Sequence, residues 1–308
     1  MKPRIVITGV AGFIGSNLAD LLIKKNYSVI GIDNLEYGLI EQVPKEVEFY
    51  HTDIRAKDFD KLILEDDIIF HLAAKNCVID CENDPLETIS NNIYGSMNVY
   101  QSAIKKKAKK FIYADTSAVY ENTKNFPSSE VDIDPKSCYA NSKFMSSKFF
   151  NIFNDNRLKL TGLRYFNVYG PRQDYRRSIP PVMSAFIIKL LKNERPTIFG
   201  KTEKRRDFIH VNDVNNFHLM CIEDERTDYN VFNLGTGKDY SIIEIFKIIK
   251  ELLSSKLEPI YKPEFTFEAK RTLANIERAN SLGWTPQIEI KDGLLDMINY
   301  IRSINSDE

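Results

Sequence analysis

Apolar positions in the first half of the chain follow two alternating patterns. Short β-rich runs at Arg4 to Thr8, Ser28 to Asp33, Val47 to Asp53, Asp67 to Ala73, Lys110 to Asp115 and Leu160 to Val168 read as strands, each closing near polar or glycine residues. Between them, Phe13 to Asn26, Leu86 to Lys107 and Tyr139 to Asn156 repeat apolar residues at helical spacing. Apolar strands joined by short crossovers through amphipathic helices make a parallel sheet covered on both faces. The expected fold is α/β, a doubly wound parallel sheet that binds ligands beyond the carboxyl ends of its strands.

After Gly170 the pattern is mixed, with a helical stretch from Pro181 to Lys192, a short strand at Thr197 to Phe199, and helices near Ser241 to Leu253 and Lys291 to Ile304. This predicts a smaller mixed α/β lobe over the carboxyl edge of the sheet. Residues 1–170, with part of 206–230 returning to them, are the expected sheet domain, and 171–308 are mainly the lobe.

Composition narrows the ligands. Of 308 residues, 42 are Lys or Arg and 43 Asp or Glu, so no global basic field points to nucleic acid or an anionic membrane. Anionic ligands must be caught by local arginines. The start shows no charged-then-apolar leader and the chain no long apolar run, so a cytoplasmic enzyme is expected. Cys77 and Cys81 are the only neighbouring pair among the four cysteines, and no nearby histidine completes a ligand set. Reduced thiols and no metal are therefore expected.

Gly9, Gly12 and Gly15 are spaced GxxGxxG directly after a strand and at the opening of a helix, with Phe13 and Ile14 between the last two. Without side chains the backbone turns tightly and approaches a pyrophosphate, while the helix amino terminus offers unpaired N–H groups. Asp33 ends the second strand, followed by Asn34. A carboxylate there accepts hydrogen bonds from an adenosine ribose diol and repels a 2′-phosphate, which favours NAD over NADP in a Rossmann site. Asp53, followed by Ile54, closes the third strand, as an adenine contact or as a helix cap. His71 precedes Leu72, Ala73 and Ala74, small enough to let a dinucleotide pass. By itself His71 reads more simply as a packed core residue.

Thr116 and Ser117 end the fifth strand, and Tyr139-Ala140-Asn141-Ser142-Lys143 follows on a helix. Tyr139 and Lys143 lie four apart and share a helix face. A free tyrosine titrates near 10, too high for a base at neutral pH. The lysine cation, a nicotinamide cation and the helix amino terminus are expected to favour the phenolate. A phenolate that removes a hydroxyl proton suits hydride transfer from an alcohol to NAD, with Thr116 holding the same oxygen.

These motifs, with Asn91 to Ser96, Leu163 to Arg172, Arg206 to Val211, Asn233 to Gly237 and Leu282 to Pro286, resemble an extended short-chain dehydrogenase/reductase of the sugar-nucleotide epimerase and dehydratase family over nearly the whole chain. The resemblance implies that Tyr139 is the base, that Lys143 assists it and binds the nicotinamide ribose, and that Thr116, with Ser117 beside it, orients the sugar. It also places Asn92 at the cofactor, Asn167 at the sugar diphosphate and Arg206 on a phosphate. An arginine fork donates two hydrogen bonds to such an anion. Pairing of Arg206 with Asp207 or another carboxylate is the plainer alternative.

Dehydratases of the family carry an Asp-Glu pair directly after the catalytic Thr, and the decarboxylases carry Glu two places after it. Here Ser117-Ala118 stands there, which leaves 4-epimerisation of a nucleotide-diphosphate sugar as the expected reaction. A reductase or dehydratase of the same family and a non-catalytic NAD-binding regulator are the alternatives. Two departures stand out. Glu121 replaces the usual glycine after Val-Tyr, and Phe265 occupies the place of a diphosphate-binding arginine, with Glu268 standing in for an Asp. Phosphate contacts are then expected to shift to Lys270, Arg271 or Arg172. Thr272 falls at the family's gatekeeper position, where a small residue leaves room for an N-acetyl group. The resemblance further suggests a homodimer pairing the helices Leu86 to Lys107 and Tyr139 to Asn156 into a four-helix bundle.

Overall fold

The computed structural model describes residues 2–154, 156–174, 180–200, 204–263 and 269–305. The first half runs β1 (Arg4–Thr8), α1 (Phe13–Lys24), β2 (Ser28–Asp33), β3 (Glu48–His51), β4 (Ile68–His71), α2 (Val78–Asn83), α3 (Pro85–Ile89), α4 (Ser96–Lys105), β5 (Lys110–Thr116) and α5 (Cys138–Ile152). Then come β6 (Lys159–Tyr165), β7 (Asn167–Tyr169), α6 (Val182–Leu191), β8 (Thr197–Phe199), β9 (Arg205–His210), α7 (Val211–Glu223) and β10 (Asn230–Leu234). The last elements are β11 (Asp239–Ser241), α8 (Ile242–Leu252), β12 (Ile260–Lys262), α9 (Glu277–Asn280) and α10 (Ile290–Asn305).

Seven parallel strands form the main sheet in the order β10-β6-β5-β4-β1-β2-β3. Strand order reverses between β1 and β4, the switch point at which such sheets open a crevice. Leu18 and Leu22 of α1 pack with Val214, Phe217 and Cys221 of α7 in the core on one face. On the other, Val99 and Tyr100 of α4 meet Phe111 and Phe150, and the Tyr100 hydroxyl donates to the Phe150 carbonyl at 2.9 Å. The smaller lobe has a β11-β9-β7 sheet and a β12-β8 pair. Its core joins Phe186 and Ile187 of α6, Ile245 and Phe246 of α8, and Leu294 and Ile298 of α10. Among the described residues no helix is long and apolar enough to cross a membrane.

Two predicted elements depart from regularity. The stretch Leu86 to Lys107 is helical from Pro85 to Lys105, with a π turn at Ser90–Gly95 between α3 and α4. Widening the turn seats the fully buried Asn92 against the chain after β4, where its side chain accepts from Lys75 N at 2.8 Å and donates to Lys75 O at 2.9 Å. Such turns commonly mark functional positions. The run Leu160 to Val168 also breaks, because β6 ends at Tyr165 and β7 pairs with β9 in the second sheet. Val47 to Asp53 and Asp67 to Ala73 shorten to β3 and β4, their last residues forming cavity loops. The periodicity had not singled out α7 or β10, although Val211, Val214, Phe217 and Cys221 carry a helical spacing.

Candidate active site

A cavity of about 620 Å³ lies over the carboxyl ends of the main sheet, under the smaller lobe. Gly9, Gly12 and Gly15 line one end. Gly9 has φ +75°, and a Cβ there would sit 2.8 Å from Ala73 N, so the turn and its approach to the β4 loop both require glycine. Gly12 caps α1 without a side-chain hydrogen bond, leaving the N–H groups of Phe13, Ile14 and Gly15 directed at the cavity mouth as an anion site.

Asp33 reaches the same end. Its carboxylate accepts from Ala11 N at 3.0 Å and Leu35 N at 2.8 Å, so the acid is held rigidly at the end of β2. Burial pushes its pKa up and these backbone bonds pull it back. Asn34, Ile54, Leu72, Ala73 and Ala74 line the cavity with it. Asp53 does not: Arg55 grips it at 2.7 Å and holds its pKa down to about 2, and its oxygen also accepts from Asn34. The cap alternative for Asp53 is met in part, since its carboxylate also accepts from Arg55 N at 2.8 Å and so caps a turn rather than a helix. Asn92 is also off the cavity wall, bonded to Lys75 and to Ser142 Oγ, and it braces α5 rather than facing a ligand. His71 is a satisfied core residue between Thr8 Oγ and Ser96 Oγ, each at 2.8 Å, and burial keeps it neutral.

Thr116, Tyr139 and Lys143 meet in the middle of the cavity. Thr116 ends β5 with its hydroxyl against the Tyr139 phenol and accepting from Ala118 N at 3.1 Å. Ser137 caps α5 by accepting from Ala140 N at 3.1 Å, which sets Tyr139 in the first turn and Lys143 one turn on. The electrostatics correct one expectation. Burial dominates both groups, pushing Tyr139 up to about 12 and Lys143 down to about 8, while the Thr116 bond only partly offsets the rise at Tyr139. The chain's own charges therefore leave the phenol protonated at neutral pH.

Lys143 also carries a stability cost. Below pH 8 folded and unfolded chains both hold the proton, and the full penalty of a buried cation is present. Between about 8 and 10.5 only the unfolded chain holds it, so this group's contribution to stability rises with pH. Lys143→Met is expected to stabilise the cofactor-stripped protein at pH 7 by about 1–3 kcal/mol and to impair turnover. Thermal denaturation at that pH checks this; a Tm at or below wild type would refute it.

At the sugar end of the cavity, Ser117, Asn167, Arg206 and Thr272 line the wall. Asn167 donates to Thr272 Oγ and to the Asp207 carbonyl, each at 2.9 Å. Asp207 is not the partner of Arg206, since its buried carboxylate takes the amides of Thr236, Gly237 and Ala274. Lys270, Arg271 and Arg172 do not line the cavity. Arg271 is ion-paired with Asp239, Lys270 is exposed, and Arg172 binds Asp20 and the Ser16 carbonyl of α1. Phosphate contacts from these three would require Arg271 and Arg172 to leave their ion pairs and Lys270 to turn in from the surface. Phe265 and Glu268 lie outside the described residues. Among the described residues no cluster of three His, Cys, Asp or Glu is arranged for a metal.

Sequence reasoning missed the support beneath Thr116. Asp115 pairs with the buried Arg164 at 2.8 Å, and Arg164 also donates to the Tyr120 hydroxyl and the Glu130 carbonyl. Tyr120 then donates to Asn233 at 2.7 Å. Arg164 and Asn233 belong to quoted motifs, but only their buried pairing reveals this use.

A dinucleotide turn and a Thr-Tyr-Lys set, facing one another across a switch-point crevice, define the class of Rossmann-fold enzymes that move hydride to and from an alcohol. The chain matches the NAD dependent epimerase/dehydratase family over residues 5–235 and belongs to that family. A Methanocaldococcus jannaschii protein provisionally named UDP-glucose 4-epimerase is 36% identical over 98% of this chain and 99% of its own. The solved UDP-glucose 4-epimerase of Thermotoga maritima superposes with a TM-score of 0.94 at 35% identity, covering 98% and 99% of the two chains. The UDP-N-acetylglucosamine 4-epimerase of Methanobrevibacter ruminantium gives 0.94 at 31%, covering 99% and 100%. UDP-glucuronic acid decarboxylases, such as one from Xenopus tropicalis at 29% over 98% of this chain and 72% of its own, are also relatives.

Proposed function

We propose that this protein is an NAD-dependent 4-epimerase of a nucleotide-diphosphate sugar, of the UDP-hexose or UDP-N-acetylhexosamine class, working in the cytoplasm. The observation that carries the reading is the convergence of Thr116, Tyr139 and Lys143 in one cavity with the glycine turn and Asp33. Residues 1–170, with part of 206–230 returning to them, form the cofactor domain in this reading, and 171–308 are mainly the sugar-binding lobe.

Tyr139, as the phenolate that a bound nicotinamide cation would favour against its burial, takes the C4 hydroxyl proton, Thr116 holds the same oxygen, and Lys143 supports the phenolate and the nicotinamide ribose. The glycine turn and the amino terminus of α1 hold the cofactor pyrophosphate, and Asp33 its adenosine ribose. The chemistry supplied by bound NAD is reversible hydride acceptance at C4, which gives a transient 4-keto sugar and no net redox. Arg206 binds the diphosphate, Asn167 beside it holds the Thr272 hydroxyl and the Asp207 carbonyl in place, and Thr272 leaves room beside the sugar. The epimerase reading is preferred to decarboxylation or elimination because Ser117 and Ala118 offer no acid or base after Thr116. The nearby Glu121 is already committed to Ser137, at 2.7 and 2.9 Å.

Incubation with UDP-glucose, UDP-N-acetylglucosamine and UDP-glucuronate, followed by NMR, tests the reaction. Interconversion of C4 epimers without added NADH is expected. A stable keto-deoxy sugar would mean dehydration, and loss of carbon dioxide from the uronate would mean decarboxylation.

A homodimer through α3, α4 and α5 belongs to the same reading. Leu86, Ile89, Tyr94, Met145, Ile152 and Phe153 stand exposed there, Leu86 at 79% and Ile152 at 68%. An apolar patch of this kind marks an interface, and a second copy would pair like helix with like. Leu86→Glu with Ile152→Glu is expected to weaken the dimer at least about tenfold. Light scattering reads it, and an unchanged dimer would remove this face from consideration.

A further inference from the structure

We propose that Glu121 is a positioning residue that locks the Thr116 turn to the amino terminus of the Tyr139 helix. This rests on the reading of Tyr139 as the base. Glu121 ends the short 3-10 turn Ser117–Tyr120 that follows Thr116, at φ −55° and ψ −35°, ordinary helical backbone in which any side chain is free of strain. The glycine usual at this place is therefore not demanded by conformation here, and the added side chain has a definite use.

Its carboxylate crosses to the start of α5. It accepts from Ser137 N at 2.7 Å, from Ser137 Oγ at 2.9 Å and from Lys136 N at 3.2 Å. Ser137 is the residue whose hydroxyl caps α5 on Ala140 N, two residues before Tyr139. One side chain thus fixes the N-cap by its backbone and its hydroxyl together. Bonds to a carboxylate are stronger than neutral ones, and they satisfy amides that a helix start leaves open. The geometry couples the loop carrying Thr116 to the helix carrying Tyr139, so the hydroxyl pair that must grip one substrate oxygen moves as a unit.

The charge has a second effect. Groups acting on the Tyr139 phenol are Thr116 and Asp115 from β5, Cys81 from α2 and Glu121, with Lys143 one turn on along its own helix. Glu82 of α2 faces the same helix start, where its carboxylate accepts from Cys138 N. Burial is the largest influence on Tyr139, and the Glu121 carboxylate adds to it by disfavouring a second negative charge. An epimerase must give the proton back as well as take it, and a phenol kept weakly acidic serves the return.

Glu121→Gln and Glu121→Ala, purified with NAD bound, separate these roles. The glutamine keeps the length and one acceptor for Ser137 Oγ but loses the charge; the alanine loses everything. In Glu121→Ala, kcat is expected to fall about tenfold with KM within about twofold. In both variants the acid limb of the kcat/KM profile is expected to move to lower pH, because removing an anion eases ionisation of the phenol. Intermediate kcat in Glu121→Gln supports the two-part role. Wild-type kcat in Glu121→Ala, or a fall in kcat with the acid limb unmoved in both variants, overturns the proposal. Should Glu121→Ala fail to fold, the limb of Glu121→Gln alone decides it. Tyr139→Phe run alongside keeps the two readings apart: if it stays active, the base assignment fails, and if it is inactive while both Glu121 variants behave as wild type, only this proposal fails.

Discussion

Tyr139→Phe is expected to lower kcat by about a thousandfold, the usual scale for losing a general acid-base group, while NAD stays bound. The change removes one hydroxyl and keeps the ring, which stays half-buried in the cavity wall near the buried Lys143. What is lost is the proton acceptor beside Thr116 and the pairing across it. The glycine turn, Asp33 and the β4 loop lie at the other end of the cavity and are untouched, so cofactor content should stay near wild type. Steady-state turnover of UDP-glucose, with released nucleotide quantified after denaturation, gives both readings. Activity within a few-fold of wild type would require another base, and loss of NAD would show that Tyr139 serves binding more than proton transfer.

Gly15→Ala is expected to strip the protein of NAD and destabilise it by about 1–3 kcal/mol, the range for overpacking a well-filled site. A Cβ at Gly15 would lie 2.2 Å from the Gly9 carbonyl oxygen and 2.9 Å from the Val10 Cα, both backbone atoms with no rotamer to yield. Relief requires α1 to move away from the turn, and the N–H groups offered to the pyrophosphate move with it. Gly12→Ala supplies the contrast, since its nearest neighbour is the same carbonyl at 3.3 Å, a contact that a small shift relieves. The retained NAD should rank wild type, then Gly12→Ala, then Gly15→Ala. Equal cofactor content in Gly15→Ala and wild type would remove the close-packing account of the motif.

The sequence alone determined the alternation of strands and helices in the first half, the glycine turn with Asp33, and Thr116, Tyr139 and Lys143 as one set. Most of this is legible because it is local: a two-residue or 3.6-residue period, a turn with its own spacing, or Tyr139 and Lys143 one helical turn apart, whereas Thr116, 23 positions earlier, joined them through its strand-end place and the family resemblance. Arg206, Asn167 and Thr272 were found through family resemblance, and all three face the cavity. Tertiary structure decided what depends on partners distant in sequence. It brought β10 beside β6 and α7 against α1, and spent Arg271 on Asp239 and Arg172 on Asp20. Asn92 became a brace for α5, and Arg164 the anchor of the strand end that carries Thr116. A charged or amide side chain commits to whichever buried partner the fold delivers, because leaving a polar group unpaired away from water costs more than any local preference supplies. Burial, which no spacing encodes, raises the Tyr139 phenol among the chain's own groups, so the lowering expected of the site falls to the nicotinamide cation.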